Sequence, residues 1–176
     1  MKAIKLSCAH ALFKFLIAQK TIIDGKKVPL FPGAFAIYGH GNVACLGQAM
    51  EEFQSDLPGY RGHHEQSMAL SGIGYARAMR RKQIFIATSS SGPGAMNMVT
   101  AAGVALSNRL PLLLLPGDVF ASRFPDPVLQ QVENFNSPVE NQNDAFKPVS
   151  RFFDRISRPE QILNSLPQAI QIMLDP

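Results

Sequence analysis

Three short, continuously apolar runs, separated by helix-like stretches, restrict the fold of this chain more than any other feature. "AFAIYG" (34–39), "QIFIAT" (83–88) and "LPLLLLPG" (110–117) show no alternation of polar and apolar residues. A strand that is apolar at every position is buried on both faces, and that requires helices above and below a parallel sheet. The segments between supply them: helices are expected over about 42–53, 64–80 and 95–108. The chain therefore reads as α/β, an open parallel sheet covered by helices on both faces.

The rest is organised around that sheet. "MKAIKLSCAHALFKFLIAQK" reads as an amphipathic helix with Ile4, Leu6, Phe13, Leu16 and Ile17 inward. His10 and Lys14 break its apolar run and no small-residue cleavage site follows, which argues against a signal peptide. "TIIDGKKVPLFPG" is a polar turn on Asp24-Gly25 with extended flanks. After the third strand the rhythm changes: residues 117–147 are rich in Pro, Asn and Gln, with at most a short helix around 127–134. A connection of that length is usually functional or an interface. "PVSRFFD" (148–154) reads as a fourth strand, and Pro159 opens a last helix that runs to about Leu174 through Pro167. An alternating α/β domain is expected to add a closing strand after it. Residues 1–176 thus read as a single domain, cut before its last strand.

Composition narrows the partners. The 176 residues are 46% hydrophobic and 17% charged, which suits one globular core. Net charge is 17 − 13 = +4, and the positive residues are scattered. "RRK" at 80–82 is too short for a nucleic-acid patch and reads as a solvated turn. Cys8 and Cys45 stand in no metal-ligand spacing and read as two unpaired, half-buried thiols of a reducing cytosol. "LPLLLLP" is far too short to span a bilayer. No nucleic acid and no membrane are expected as partners, and the location expected is cytoplasmic.

Several motifs fall at strand ends. "GHGNVA" (39–44) fits the dinucleotide pattern GxGxxA, but the acid expected at the end of the next strand is missing, so a tight strand-to-helix turn is the default. "SSSGPGAMN" (89–97) makes a rigid turn exposing amides at a helix start, without the Lys and Ser/Thr of a P-loop. "HHE" (63–65) lacks the second histidine of a zinc protease helix, since Met68 stands in its place. No GxSxG occurs, which removes a serine hydrolase elbow. Glu65 nevertheless heads the stripe Met68, Ala69, Gly72, Ala76 and Met79. A carboxylate there either offsets a helix dipole or is held for chemistry. All three loops leave the carboxyl ends of parallel strands, the edge where open α/β sheets place their sites.

That order resembles the pyrimidine-binding domain of the thiamine diphosphate enzymes, the acetolactate synthase and pyruvate decarboxylase group, over essentially the whole chain. The resemblance implies thiamine diphosphate as cofactor. It also implies that Glu65 binds the aminopyrimidine ring nitrogen and promotes the tautomer that deprotonates the thiazolium carbon. Pro93 and Asn97 of "GPGAMN", the His40-Gly41 turn and Gln130 would line the pyrimidine pocket. "NRLPLLLLPGDVFASRFPDPVLQQVE", "NDAFKPVSRFFDRISRPEQI" and "IIDGKKVPLFPGAFAIYGHGNV" are similar to the branch of that family acting in myo-inositol breakdown. Hydrolytic opening of a cyclic diketone is therefore expected of the complete enzyme. An acetolactate synthase-like or semialdehyde decarboxylase activity, a non-catalytic α/β binding module and a Rossmann-type nucleotide binder are the other readings. The family holds Mg²⁺ through a Gly-Asp-Gly…Asn motif on a separate domain, and the nearest match, "PGDV" (116–119), lacks its second glycine. The chain thus carries half a site. Its expected partners are the remaining domains of the same enzyme, in a homodimer or homotetramer with active sites at the interface, and a small polyol-derived substrate. Residues 1–176 alone are expected to bind the cofactor poorly and to be inactive.

Overall fold

The computed structural model describes residues 4–121, 128–137 and 139–176. Ser7 starts the first helix, α1 (Cys8–Ala18), its hydroxyl accepting the His10 backbone N–H. The inward face is Ala9, Leu12, Phe13 and Leu16. Ile4 and Leu6, expected on that face, precede the helix and are exposed, and Ile17 is half-buried. A hairpin follows, β1 (Lys20–Ile23) and β2 (Lys26–Pro29), which forms a two-stranded sheet of its own. Asp24 and Gly25 both take positive φ, as a two-residue connection between twisted antiparallel strands requires.

The main sheet comprises β3 (Ala34–Ala36), β4 (Gly59–Tyr60), β5 (Ile86–Ser89) and β6 (Leu113–Pro116). All pairings are parallel, in the order β4–β3–β5–β6. Its register sets Ala34 beside Gly59 and Ile86, and Ile86 beside Leu113. Because successive side chains point to opposite faces, one sequence feeds two cores. Ala34, Ala36, Ile84, Ile86 and Leu113 pack with α1 and with α7 (Ile162–Leu174). Phe35, Ala87, Leu112 and Leu114 pack with α4 (Glu65–Ala78), α5 (Pro93–Met96) and α6 (Val99–Ser107). The α/β sheet covered on both faces is thus observed.

Four elements differ from expectation. The helix placed at 42–53 starts earlier: α2 (Gly39–Asn42), a π-helical turn (Val43–Gly47) and α3 (Gln48–Glu52) run on from one another, so "GHGN" is the first helical turn and not a loop before it. Gly39, at φ 52°, makes the sharp entry. The helix expected at 95–108 is divided into α5 and α6 at Asn97 and Met98. "PVSRFFD" is no strand: Pro148 and Val149 close a 3₁₀ helix (Gln142–Val149), and the residues after it join no ladder among the described residues. Of the short helix expected around 127–134, residue 127 lies outside the described residues, and 128–134 forms turns with one bridge from Glu133 to Asn141. The closing helix opens with a 3₁₀ turn at Pro159–Gln161 and continues through Pro167. No helix among the described residues is long and apolar enough to cross a membrane.

Candidate functional site

Parallel pairing puts the carboxyl ends of all four strands on one edge, and the candidate residues fall on the segments that leave it. The chain leaving β4 reaches α4 through His64, whose Nδ1 accepts the Gln66 backbone N–H and so caps the helix. That places Glu65 in the first turn, half-buried at the head of a stripe whose Met68, Ala69, Gly72, Ile73 and Ala76 are buried. Across from it, the chain leaving β5 turns at Gly92 into α5, with Pro93 as first helical residue and Asn97 as the residue that ends it. Asn97 Nδ2 donates to Glu65 Oε2 at 2.9 Å. A Cβ on Gly94 would stand 3.1 Å from Glu65 Oε1, so the absence of a side chain there keeps that oxygen clear. Among the described residues Oε1 has no hydrogen-bond partner. One carboxylate oxygen is therefore fixed and the other is available.

His40, Gly41 and Gln130 form a second group around the same turn. His40 Nε2 donates to the Leu129 carbonyl at 2.6 Å. Ser90 Oγ donates to Gln130 Oε1 at 2.8 Å. Gly41 lies against the Ser90 and Ser91 hydroxyls, each 3.3 Å from where its Cβ would be. Gln130 itself has φ 64°, and its carbonyl occupies the space a side chain on Gly92 would need. The structure thus brings Glu65, Asn97 and the Gly-Pro-Gly turn together, and separately ties His40, Gly41 and Gln130 to that turn's other side. On the side where a Cβ would stand, Gly39 and Gly41 meet Ser90, Ser91 and Gln130, while the turn itself is exposed.

Two further layers hold these loops, and neither is legible as a motif. Asn42 Nδ2 donates to the Ser89 carbonyl at 2.6 Å, and Asn143 Nδ2 to the Gly117 carbonyl at 2.9 Å. These asparagines belong to elements with no spacing relation to the strands they brace, so only tertiary structure reveals them. Behind them Arg155 donates to Asp118 at 2.8 Å, to Asp144 at 3.2 Å and to Asn141 at 3.1 Å. This clamps both ends of the 118–141 connection. Partial burial pushes the Asp144 carboxyl upward. It is outweighed by hydrogen bonds from Lys147 and the Asn141 backbone and by the Arg155 charge, and the result is a carboxyl held below its ordinary range. No cluster of three or more His, Cys, Asp or Glu is arranged to hold a metal ion among the described residues. Cys8 is half-buried and Cys45 exposed, so only the first matches the half-buried thiols expected. Burial, with Cys45 and Glu160 nearby, pushes the Cys8 thiol up.

The family described as thiamine pyrophosphate enzyme, N-terminal TPP binding domain, matches residues 33–137. Over 176 residues the chain is 51% identical to the 3D-(3,5/4)-trihydroxycyclohexane-1,2-dione hydrolase of Clostridium tetani, and over 175 residues 50% identical to that of Bacillus subtilis. The protein of the same name from Listeria monocytogenes is 48% identical over 175 residues. These matches cover 99–100% of the chain but only 27–28% of each relative, so the chain spans about a quarter of the proteins it resembles.

Proposed function

The chain belongs to the thiamine pyrophosphate enzymes through their N-terminal TPP binding domain, and from that premise we propose that it forms the pyrimidine-binding half of a hydrolase that opens a cyclic 1,2-diketone. The observation that carries the proposal is the Glu65 carboxylate, pinned by Asn97 through one oxygen and left open at the other above Gly94. A group that must share a proton with a ring nitrogen needs this arrangement, because a carboxylate saturated by protein donors has no lone pair to offer. Glu65 would hold the proton at Oε1. Asn97 would keep the carboxylate from rotating, and Pro93 would fix the turn into the short helix that ends at Asn97. His40, Gly41 and Gln130 would act by binding the two loops to one another.

When bound, thiamine diphosphate supplies a carbon nucleophile that also accepts the electron pair of the breaking bond. In the overall reaction one molecule of water is consumed as the bond between the dione carbons breaks. One carbon leaves as a carboxylate and the other as an aldehyde. The relatives' printed name supports the dione as substrate. Mg²⁺ on a separate domain, a cytoplasmic homo-oligomer and an active site shared between subunits complete the proposal, in which residues 1–176 alone bind the cofactor weakly. An assay of the protein from the whole reading frame, with thiamine diphosphate, Mg²⁺ and trihydroxycyclohexane-1,2-dione, tests it by proton NMR of the products. One aldehyde per dione consumed is expected. An unchanged dione alongside turnover of pyruvate or a semialdehyde would assign the other branch of the family.

A further inference from the structure

We propose that Cys8 and Cys45 form a peroxide-sensitive pair, in which Cys45 is oxidised first and Cys8 then closes on it as a disulfide. They are the two cysteines of the chain. Cys45 lies in the middle of the π-helical turn (Val43–Gly47) and is exposed, as are Val43 and Ala44 before it. Cys8 is the first residue of α1 and is half-buried.

Packing brings the two together. α1 lies against both the π turn and α3, which form one continuous helical stretch. His10 Nε2 donates to Glu52 Oε2 at 2.9 Å. The ring of Phe53 stands edge-on to His10 at 5.9 Å, and Lys14 Nζ lies 5.9 Å from the same ring. These contacts seat α1 on the helix that carries Cys45. Cys8 and Leu46, the residue after Cys45, pack on the same apolar cluster. The thiols are also close enough to act on each other: burial raises the Cys8 thiol, and charge on Cys45 raises it further.

Unequal environments assign the roles. Oxidation selects the accessible thiol, which is Cys45. Its thiolate attacks one oxygen of hydrogen peroxide, the O–O bond breaks, and a sulfenic acid and hydroxide result. Cys8 then gives up its proton and attacks that sulfur. The S–S bond forms, the S–O bond breaks and a second hydroxide leaves. With the two thiol protons, the sum is two thiols and one peroxide to one disulfide and two waters. The sulfurs lose the two electrons that the peroxide gains. Partial burial keeps Cys8 protonated and spared until the sulfenic acid stands beside it.

The bridge acts on the turn that precedes it. His40 and Gly41, tied to Leu129 and set against Ser91, lead directly into the π turn. A π turn holds an extra residue and recurs at functional positions. Fastening it to α1 stiffens the segment that begins at that turn. The disulfide itself does not depend on the function proposed above.

The test uses the protein from the whole reading frame, reduced, exposed to a small excess of hydrogen peroxide, alkylated and digested for peptide mass spectrometry. A peptide pair joining Cys8 to Cys45 is expected, lighter by two hydrogens than its parts and released by dithiothreitol. In the oxidised protein, amide exchange over 39–47 should slow by about 10-fold or more. Cys8→Ser should let Cys45 run on to the sulfinic acid, and Cys45→Ser should leave Cys8 a free thiol. Should Cys8→Ser fail to fold, Cys8→Ala replaces it. Oxidised Cys45 beside a free Cys8 in the unaltered protein overturns the proposal. So does a Cys45–Cys45 bridge between two copies, and so do thiols that both stay reduced while methionines oxidise. Unchanged exchange over 39–47 in the bridged protein overturns the stiffening.

Discussion

Gly92 offers a sharp test of how the two halves of the site are joined. Its backbone lies at φ 63°, ψ −123°, a region that residues with a Cβ avoid at a cost of about 1–3 kcal/mol. A methyl group on it would also meet the carbonyl of Gln130, which is backbone and cannot rotate away. Relief requires residues 129–130 to lift off the turn. That breaks the His40–Leu129 and Ser90–Gln130 hydrogen bonds, together on the order of 2 kcal/mol at about 1 kcal/mol each. Gly92→Ala should therefore lose about 3–5 kcal/mol of stability, a drop of roughly 6–20 °C in Tm for a domain of this size. Urea unfolding followed by circular dichroism measures it, with the amide exchange of 128–131 as a local readout. A loss below about 0.5 kcal/mol, the range of an ordinary surface change, would mean that residues 129–130 do not seat on the Gly92 turn.

Other outcomes follow from the same structure. Gly74, exposed within α4 with nothing near its Cβ position, should behave oppositely: Gly74→Ala should stabilise by about 0.5–1 kcal/mol in the same unfolding assay. The Asp144 carboxyl is held below its ordinary value, so it contributes stability above that value of 3.8 and loses it as pH falls through the lower folded value. Asp144→Asn should thus flatten the fall in unfolding free energy on the acid side of pH 4 and lower stability at pH 7. Cys45 is exposed, whereas burial pushes the Cys8 thiol up. Timed alkylation at pH 8 with peptide mass spectrometry should label Cys45 first.

The sheet was legible because burial on both faces writes itself into composition: a run such as "QIFIAT" admits few other environments. The Glu65 stripe was legible for a related reason, since one helical face must match one core. Ile4 and Leu6 were misread because their periodicity continues past the point where Ser7 caps α1, and a cap outranks a pattern. "PVSRFFD" reads as a strand in sequence, yet a strand needs a neighbour, and among the described residues none pairs with it. At the site, Asn97 was found through the company it keeps in "GPGAMN", whereas His64 as helix cap, and Asn42 and Asn143 as braces, left no trace in spacing. Gln130 stands beside Ser90, but its left-handed backbone under Gly92 could not be read from a stretch without periodicity.

In the function proposed above, Glu65 manages a proton for the cofactor. The most direct measurement is the rate at which the thiazolium carbon hydrogen of bound thiamine diphosphate exchanges with deuterated water, followed by acid quench and NMR, in the whole protein and in Glu65→Gln. Proton transfer through a positioned carboxyl is worth about 10²–10⁴-fold, so the variant should exchange that much more slowly while still binding the cofactor. Equal rates in the two proteins, with binding intact, would rule out a proton role for Glu65.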